Sequence, residues 1–348
     1  MNKLTKVGLS ALCGSLAAIS AANAGDMTVT GGVDMSWYSA GGGSADTGNP
    51  IGMGSNLTFK GAGELDNGWT FDLTVAMLNS DAYSNTNVTV TMGGLGKLDF
   101  NQGNSANGID AMDDKMPTAW EEPWGAGLGT GVQLVRGVGT TPNVQYKTPK
   151  VLGMTLVGAV APDMGSADVN DKAYSGTASG GSTGAGYDAT LSINPSFGTE
   201  LLSGLELFVG AHYTENYDES LENDRYEGVG GITLDLGPIS VGYATSGIST
   251  GKTVTKSDTD FYKNHMYGIA FNINDDLSVS YGNHESQKGY VTPGALDSVY
   301  VEITSWQVAY SMGGASFRYA SVDVNNAAYQ TSSEYDKSAN IISLSLAF

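Results

Sequence analysis

Apolar side chains fall on every second residue in segment after segment of this chain, and that period decides what it can fold into. Met27, Val29, Val33, Met35 and Trp37 share one parity, while Thr28, Thr30, Gly32, Asp34 and Ser36 hold the other. Trp69, Phe71, Leu73, Val75 and Met77 stand against Thr70, Asp72, Thr74 and Ala76. The pattern returns in Leu57/Phe59, Ile232/Leu234/Leu236, Ile239/Val241/Tyr243, Tyr267/Ile269/Phe271/Ile273 and Leu277/Val279/Tyr281. It closes with Trp306/Val308/Tyr310, Phe317/Tyr319 and Ile342/Leu344/Leu346/Phe348. A period of two means a β-strand with one apolar face. After Gly25 no apolar run approaches the length of a membrane helix.

Two kinds of connection separate these segments. Asp66-Asn67-Gly68, Gly93-Gly94-Leu95-Gly96, Leu236-Gly237-Pro238, Asn274-Asp275-Asp276 and Met312-Gly313-Gly314 are tight-turn sequences rich in residues that tolerate positive φ. The others are long and polar: 39–52, 102–140, 162–185, 215–224, 248–260, 286–298 and 325–336. About sixteen strands are predicted, near 27–38, 53–65, 69–79, 86–93, 96–101, 141–148, 152–161 and 186–194 in the first half. The second half adds 203–214, 225–236, 238–247, 261–273, 276–285, 299–312, 313–324 and 338–348.

A soluble sandwich also alternates, but it hides its apolar face in one core. Here the opposite parity is Thr, Ser, Asn, Asp and Gly nearly throughout, and a sixteen-strand cylinder is too wide for side chains to fill. Aromatics at strand ends (Trp37, Tyr38, Trp69, Tyr83) fit a wall turned to lipid. In lipid only a closed barrel satisfies the backbone groups of every strand. The expected fold is therefore all-β: a transmembrane antiparallel barrel over residues 25–348, with short turns on one rim and long loops on the other.

Residues 1–24 read as a secretory signal peptide, with Lys3 and Lys6, an apolar stretch from Val7 to Ala22, and the cleavage pattern Ala22-Asn23-Ala24. Leu12 is too large for a lipoprotein site at Cys13. That cysteine is the only one in the chain, so an intrachain disulfide and a thiolate metal cage are excluded. The formal net charge is −20, with 16 basic residues, which argues against nucleic acid as a partner. Charged residues at 15% are few, yet 41% hydrophobic residues exclude a disordered acidic chain.

Trp69-Thr70-Phe71-Asp72 after a tight turn, Gly96-Lys97-Leu98-Asp99-Phe100-Asn101, Asn143-Val144-Gln145-Tyr146-Lys147-Thr148-Pro149 with Met154-Thr155-Leu156-Val157-Gly158, and the terminal Phe348 carry a resemblance. Taken with the strand count, the chain resembles the sixteen-stranded general-diffusion porins of Gram-negative bacteria, most closely the alphaproteobacterial type. The resemblance implies an outer-membrane homotrimer whose long third loop, after the fifth strand, folds inward and narrows a water-filled pore. It also makes the apolar C-terminal strand ending in Phe348 a recognition signal for insertion.

The loop 102–140 fits that expectation. Its middle is acidic, with Asp110, Asp113, Asp114, Glu121 and Glu122 against one Lys115, and Trp120, Trp124, Pro117 and Pro123 are suited to pin it to a wall. Lys60, Lys97, Lys147, Arg225 and Arg318 fall on the inward parity of their strands, and Arg136 lies on the loop's return. A charge on the lipid face costs about 2–4 kcal/mol at mid-depth, so inward placement is expected whatever the role. The reading is passive diffusion of small hydrophilic solutes and ions with weak cation preference. A substrate-specific outer-membrane channel is the alternative, disfavoured by a lumen parity poor in aromatics, with Phe208 an exception.

Catalysis is not expected. His212 (near Glu215), His265 and His284 (beside Glu285) lie near strand ends with no evident nucleophile. Gly125–Gly129 lacks the strand and helix of a nucleotide site. No cofactor or resident metal is expected. Asp163, Asp168 and Asp171, and Asp218, Glu219, Glu222 and Asp224, form acidic outer loops that read as solvated, with Ca²⁺ bridging to lipopolysaccharide or neighbouring subunits as a lesser possibility.

Overall fold

The computed structural model describes residues 27–43, 48–79, 81–125, 127–165, 183–195, 202–216, 223–253, 255, 257–292 and 298–347. Residues 1–24, Phe348, Asp168, Asp171, Asp218, Glu219 and Glu222 lie outside them. Among the described residues sixteen strands form one closed antiparallel barrel. The first eight are β1 (Thr28–Gly41), β2 (Ile51–Glu64), β3 (Thr70–Leu78), β4 (Asp81–Thr91), β5 (Lys97–Gln102), β6 (Asn143–Lys147), β7 (Met154–Ala161) and β8 (Thr183–Ile193). Then follow β9 (Leu205–Asn216), β10 (Arg225–Leu236), β11 (Ile239–Ser249), β12 (Thr259–Asn272), β13 (Leu277–Tyr290), β14 (Val299–Met312), β15 (Ala315–Asn325) and β16 (Lys337–Ala347). Each pairs with its neighbour in sequence, and β1 pairs with β16 from Gly32↔Ala347 to Gly41↔Ser338, which removes the last free edge.

The alternation sorts side chains as it should. On β14, Trp306 is 64% exposed while Gln307 is 3% and Ser305 1%. The exposed parity carries the large apolar residues all round the barrel. On it the rings of Tyr187, Tyr213 and Tyr226 touch (6.1 and 5.3 Å), as do Tyr267, Tyr281 and Trp306 (6.3 and 4.6 Å). On β12–β15 this parity turns polar beyond those rings, with Lys263, His265, Glu285, Glu302 and Asp323 toward the long-loop rim. That boundary between aromatic and ionisable rows is where an apolar membrane layer ends.

Three connections differ from expectation. The expected 80–85 linker is largely strand, because β4 begins at Asp81; β13 runs on to Tyr290 instead of ending at 285; and the long loop spans 103–142.

The core forms where that loop packs on the inward side chains of the barrel. Ile109, Met112, Met116 and Val135 bury against Phe208, Val229, Ala244, Ile248 and Met266 of β9–β12. Leu128 packs with Val301, Ile303, Val322, Val324 and Ile341, with Trp120, Trp124 and Val132 alongside. All these barrel residues share the parity opposite to the exposed apolar one. A segment of this length that meets β6 and β8–β16 on a single face of a closed cylinder lies inside it.

Candidate functional site: the loop across the lumen

Backbone N–H groups of an irregular segment need acceptors when buried, and inward-facing wall side chains supply them. Asp188 on β8 accepts from Ile109 N (2.9 Å) and Val138 N (3.2 Å), joining both arms of the loop. Glu227 on β10 accepts from Arg136 N (2.7 Å) and Gly137 N (3.0 Å). Gln145 accepts from Gly108 N, and Asn264 donates to Gln133 O at 2.9 Å. At the loop's far end Gln307 Oε1 accepts from Thr118 Oγ1 (2.8 Å), Trp120 N and Glu121 N (3.0 Å each), while its Nε2 donates to Glu121 O. Ser280 Oγ takes Ala119 N at 2.9 Å.

The wall makes room where it carries no side chain. A Cβ on Gly242 would stand 2.6 Å from Pro117 Cδ, one on Gly268 2.5 Å from Pro117 O, and one on Gly282 2.7 Å from Pro123 Cγ. These three glycines occupy neighbouring inward positions on β11, β12 and β13, and the proline-bearing tip lies in the trough they leave.

The five acidic residues divide by environment. Asp110 accepts Ala106 N at 2.8 Å; burial pushes its carboxyl up, while the Arg136 charge opposes that. Asp113 is buried, and burial followed by the Asp114 and Asp110 charges pushes it up to about 8. Asp114 is exposed at its surface yet still raised by burial of its carboxyl. Glu122 is raised to about 8, first by burial, then by the Asp114 charge, and also by its hydrogen bond with Glu121. Asp110, Asp113, Asp114, Trp124 and Arg136 line a cavity of about 460 Å³ between the arms of the loop. Glu121 faces a second, of about 490 Å³, against β1 and β14–β16.

The basic residues expected on the wall take the inward parity, but of these only Arg318 meets the loop. Its guanidinium lies 5.0 Å from the Trp120 ring centre and pairs with Asp34 of β1. Lys97 begins β5 and Lys147 ends β6, directly opposite one another at the short-turn rim. Lys60, four residues from the same end of β2, pairs with Asp72 at 3.5 Å. Arg225, at the other rim, pairs with Glu227 at 2.7 Å. Arg136 belongs to the loop itself. Of the cations expected from parity to face the acidic loop, Arg318 is the one placed against it, joined by Lys337 of β16, whose Nζ donates to Leu128 O at 3.2 Å; parity fixes the face of a residue and not which strands the loop lies against.

Residues one or three apart on a strand point to opposite faces, so the nearness in sequence of Glu215 to His212 and of Glu285 to His284 is not contact. His212 Nδ1 meets Asp188 Oδ1 at 2.5 Å and its Nε2 meets Thr214 Oγ1; His284 Nε2 meets Asn264 Oδ1 at 3.1 Å. The Thr214–His212–Asp188 chain has the order of a nucleophilic triad, but Thr214 and His212 are buried at 2% and 3% exposure, and Asp188 is spent on the loop. His265 faces outward, its Nδ1 3.0 Å from the Tyr243 hydroxyl. Phe208 lies under the loop, with Lys115 Nζ 5.3 Å above its ring and 2.6 Å from Glu206, so it does not line open lumen.

Asp188, Glu227 and Gln307 were missed by sequence reasoning. The available signal was a long polar side chain at an inward position with small residues around it, as with Asp188 beside Gly186 and opposite Ala159. Among the described residues no group of three or more His, Cys, Asp or Glu is arranged to hold a metal ion. Asp163 instead accepts Gly165 N, and Asp224 accepts Asn216 N and the Tyr213 hydroxyl.

A sequence profile described as Gram-negative porin matches residues 8–340. No curated protein is matched by sequence comparison. Among solved structures, the anion-selective porin from Comamonas acidovorans superposes with a TM-score of 0.66 at 13% identity, covering 93% of this chain and 99% of that one. OmpF of Salmonella typhi, in a complex with daunomycin, gives 0.66 at 11% identity over 92% and 97%. OprB of Pseudomonas putida gives 0.60 at 9% identity over 97% of each. At these identities the likeness is one of fold.

Proposed function

The chain belongs to the Gram-negative porin family, an outer-membrane channel family, and on that footing we propose that it is a passive pore for small hydrophilic solutes and ions, narrowed by its acidic third loop. The observation that carries this is the docking of loop 103–142 on the inner face of β8–β16. Asp110 and Asp114 line the space between the loop's arms, and Glu121 lines the space beside its tip against β1 and β14–β16; in this reading those carboxylates border the ion path. Carboxylates at a narrow point concentrate cations within about a Debye length, roughly 8–10 Å at physiological salt. A weak cation preference follows, since Arg318 is already paired with Asp34 and Lys60 with Asp72. In this reading residues 1–24 direct export and are removed, three copies assemble, and lipopolysaccharide surrounds the ionisable rows above the aromatic boundary.

Swelling of liposomes containing the purified protein, in sugars of increasing size, tests the reading. Rapid swelling in small sugars that falls off smoothly with size supports a diffusion pore. Swelling confined to one sugar indicates a substrate-specific channel, and none from a folded barrel refutes the pore.

A further inference from the structure

Beside the loop tip, the cavity of about 490 Å³ has a lining unlike the rest of the lumen. Tyr38, Trp120, Ala320 and Ile341 make it partly apolar; Asp34, Glu121 and Arg318 place charges in it. Away from it the inner face of β2–β5 is polar, Thr, Asn and Gly with Lys60, Asp72, Lys97 and Asp99, and among the described side chains carries no aromatic one. Its size and its mixture of apolar wall with a few convergent polar groups are those of a small-molecule site. It is also held in shape. Gln307 clasps the backbone of Trp120 and Glu121, and Asp34 is fixed by Arg318 on one oxygen and Ser343 Oγ (2.6 Å) on the other.

The charges decide the kind of solute. Arg318 and Asp34 neutralise one another, and the guanidinium is further occupied by the Trp120 ring. The remaining charged group in the lining is Glu121, at the tip of the loop. From this arrangement we infer that the passage beside the tip is a subsite for organic cations that carry an aromatic or bulky apolar group. The positive group sits at Glu121, and the apolar part lies against Tyr38, Ile341 and Trp120. This rests on the pore reading and adds a solute class to it. A cation held over an aromatic wall gains attraction from the ring as well as from the carboxylate.

The test is current block in planar bilayers by benzyltrimethylammonium, tetramethylammonium and benzenesulfonate, on the full chain and on Glu121→Gln. Benzyltrimethylammonium should block at a concentration about tenfold below tetramethylammonium, a ratio worth about 1.4 kcal/mol, and benzenesulfonate least. Glu121→Gln should weaken the benzyltrimethylammonium block about tenfold while open-channel current persists. Equal block by the two cations removes the apolar contribution and overturns the inference. Stronger block by the sulfonate, or unchanged block in Glu121→Gln, overturns it as well. The comparison of three probes on the unaltered chain needs no variant to fold. Open current without selective block leaves the pore reading standing, whereas absence of current refutes the pore itself.

Discussion

Asp188 and Ile109 are 79 positions apart in sequence and joined by a 2.9 Å hydrogen bond, the carboxylate on β8 accepting the backbone N–H of the loop. The same carboxylate takes Val138 N from the returning arm. Asp188→Ala leaves two buried backbone N–H groups and His212 Nδ1 without their partner, at roughly 1–3 kcal/mol each. The barrel should still fold, judged by its heat-dependent migration on gels. The loop should loosen, seen as increased open-channel noise and faster proteolysis within 103–142.

Gly268 tests the trough. Valine there sets its Cβ against the Pro117 carbonyl, which must move. Overpacking of this kind costs about 1–3 kcal/mol, borne by the loop tip because strand β12 is paired on both sides. Conductance should change while barrel stability barely does. Gly94→Ala, at a short turn where an added Cβ meets nothing within 4 Å and the backbone is not left-handed, is the control for a glycine change remote from the loop.

Selectivity should depend on pH in a fixed direction. Asp113 and Glu122, each raised to about 8, are neutral below that pH and ionise as it is passed. The cation-to-anion permeability ratio should therefore rise between about pH 6 and 9. Docking of the loop follows the opposite trend. A carboxyl raised above its ordinary value near 4 favours the docked state most below about pH 4, and that contribution is lost as pH rises toward about 8. In the double variant Asp113→Asn/Glu122→Gln, reversal potentials should lose most of this slope.

The cations should matter unequally. Arg318→Gln removes the positive charge beside the loop tip and leaves Asp34 unpaired, so cation preference should increase. Lys97→Gln and Lys147→Gln act at the short-turn rim and should alter it much less. Similar shifts in all three reversal potentials would contradict the placement of Arg318 at the narrow level.

The strands were legible because the period of two is a local property. Trp69–Met77 against Thr70–Ala76 announces β3 without reference to any other part of the chain, and turn residues such as Gly237 mark where strands end. The acidic loop was legible from its length and its paired Trp and Pro residues. What could not be read was long-range partnership. Lys60 and Arg318 look alike by parity and lie four and three residues from the short-turn ends of β2 and β15, yet only Arg318 lies against Trp120, because which part of the wall the loop covers is set by contacts distant in sequence. Gln307 contacts residues nearly 190 positions away, and nothing near it in sequence marks it as a clasp. The histidine partners were a different matter. Alternation alone separates His284 from Glu285, so their standing on opposite faces is legible from the period.

The central claim is that the acidic face of the loop borders the ion path. Reversal potential across a KCl gradient, compared between the unaltered chain and one carrying Asp110→Asn, Asp113→Asn, Asp114→Asn, Glu121→Gln and Glu122→Gln, tests it most directly. The account predicts cation preference in the first and its collapse toward no preference, or reversal, in the second, with channels still open. The same reversal potential in both would place the current elsewhere and contradict the account.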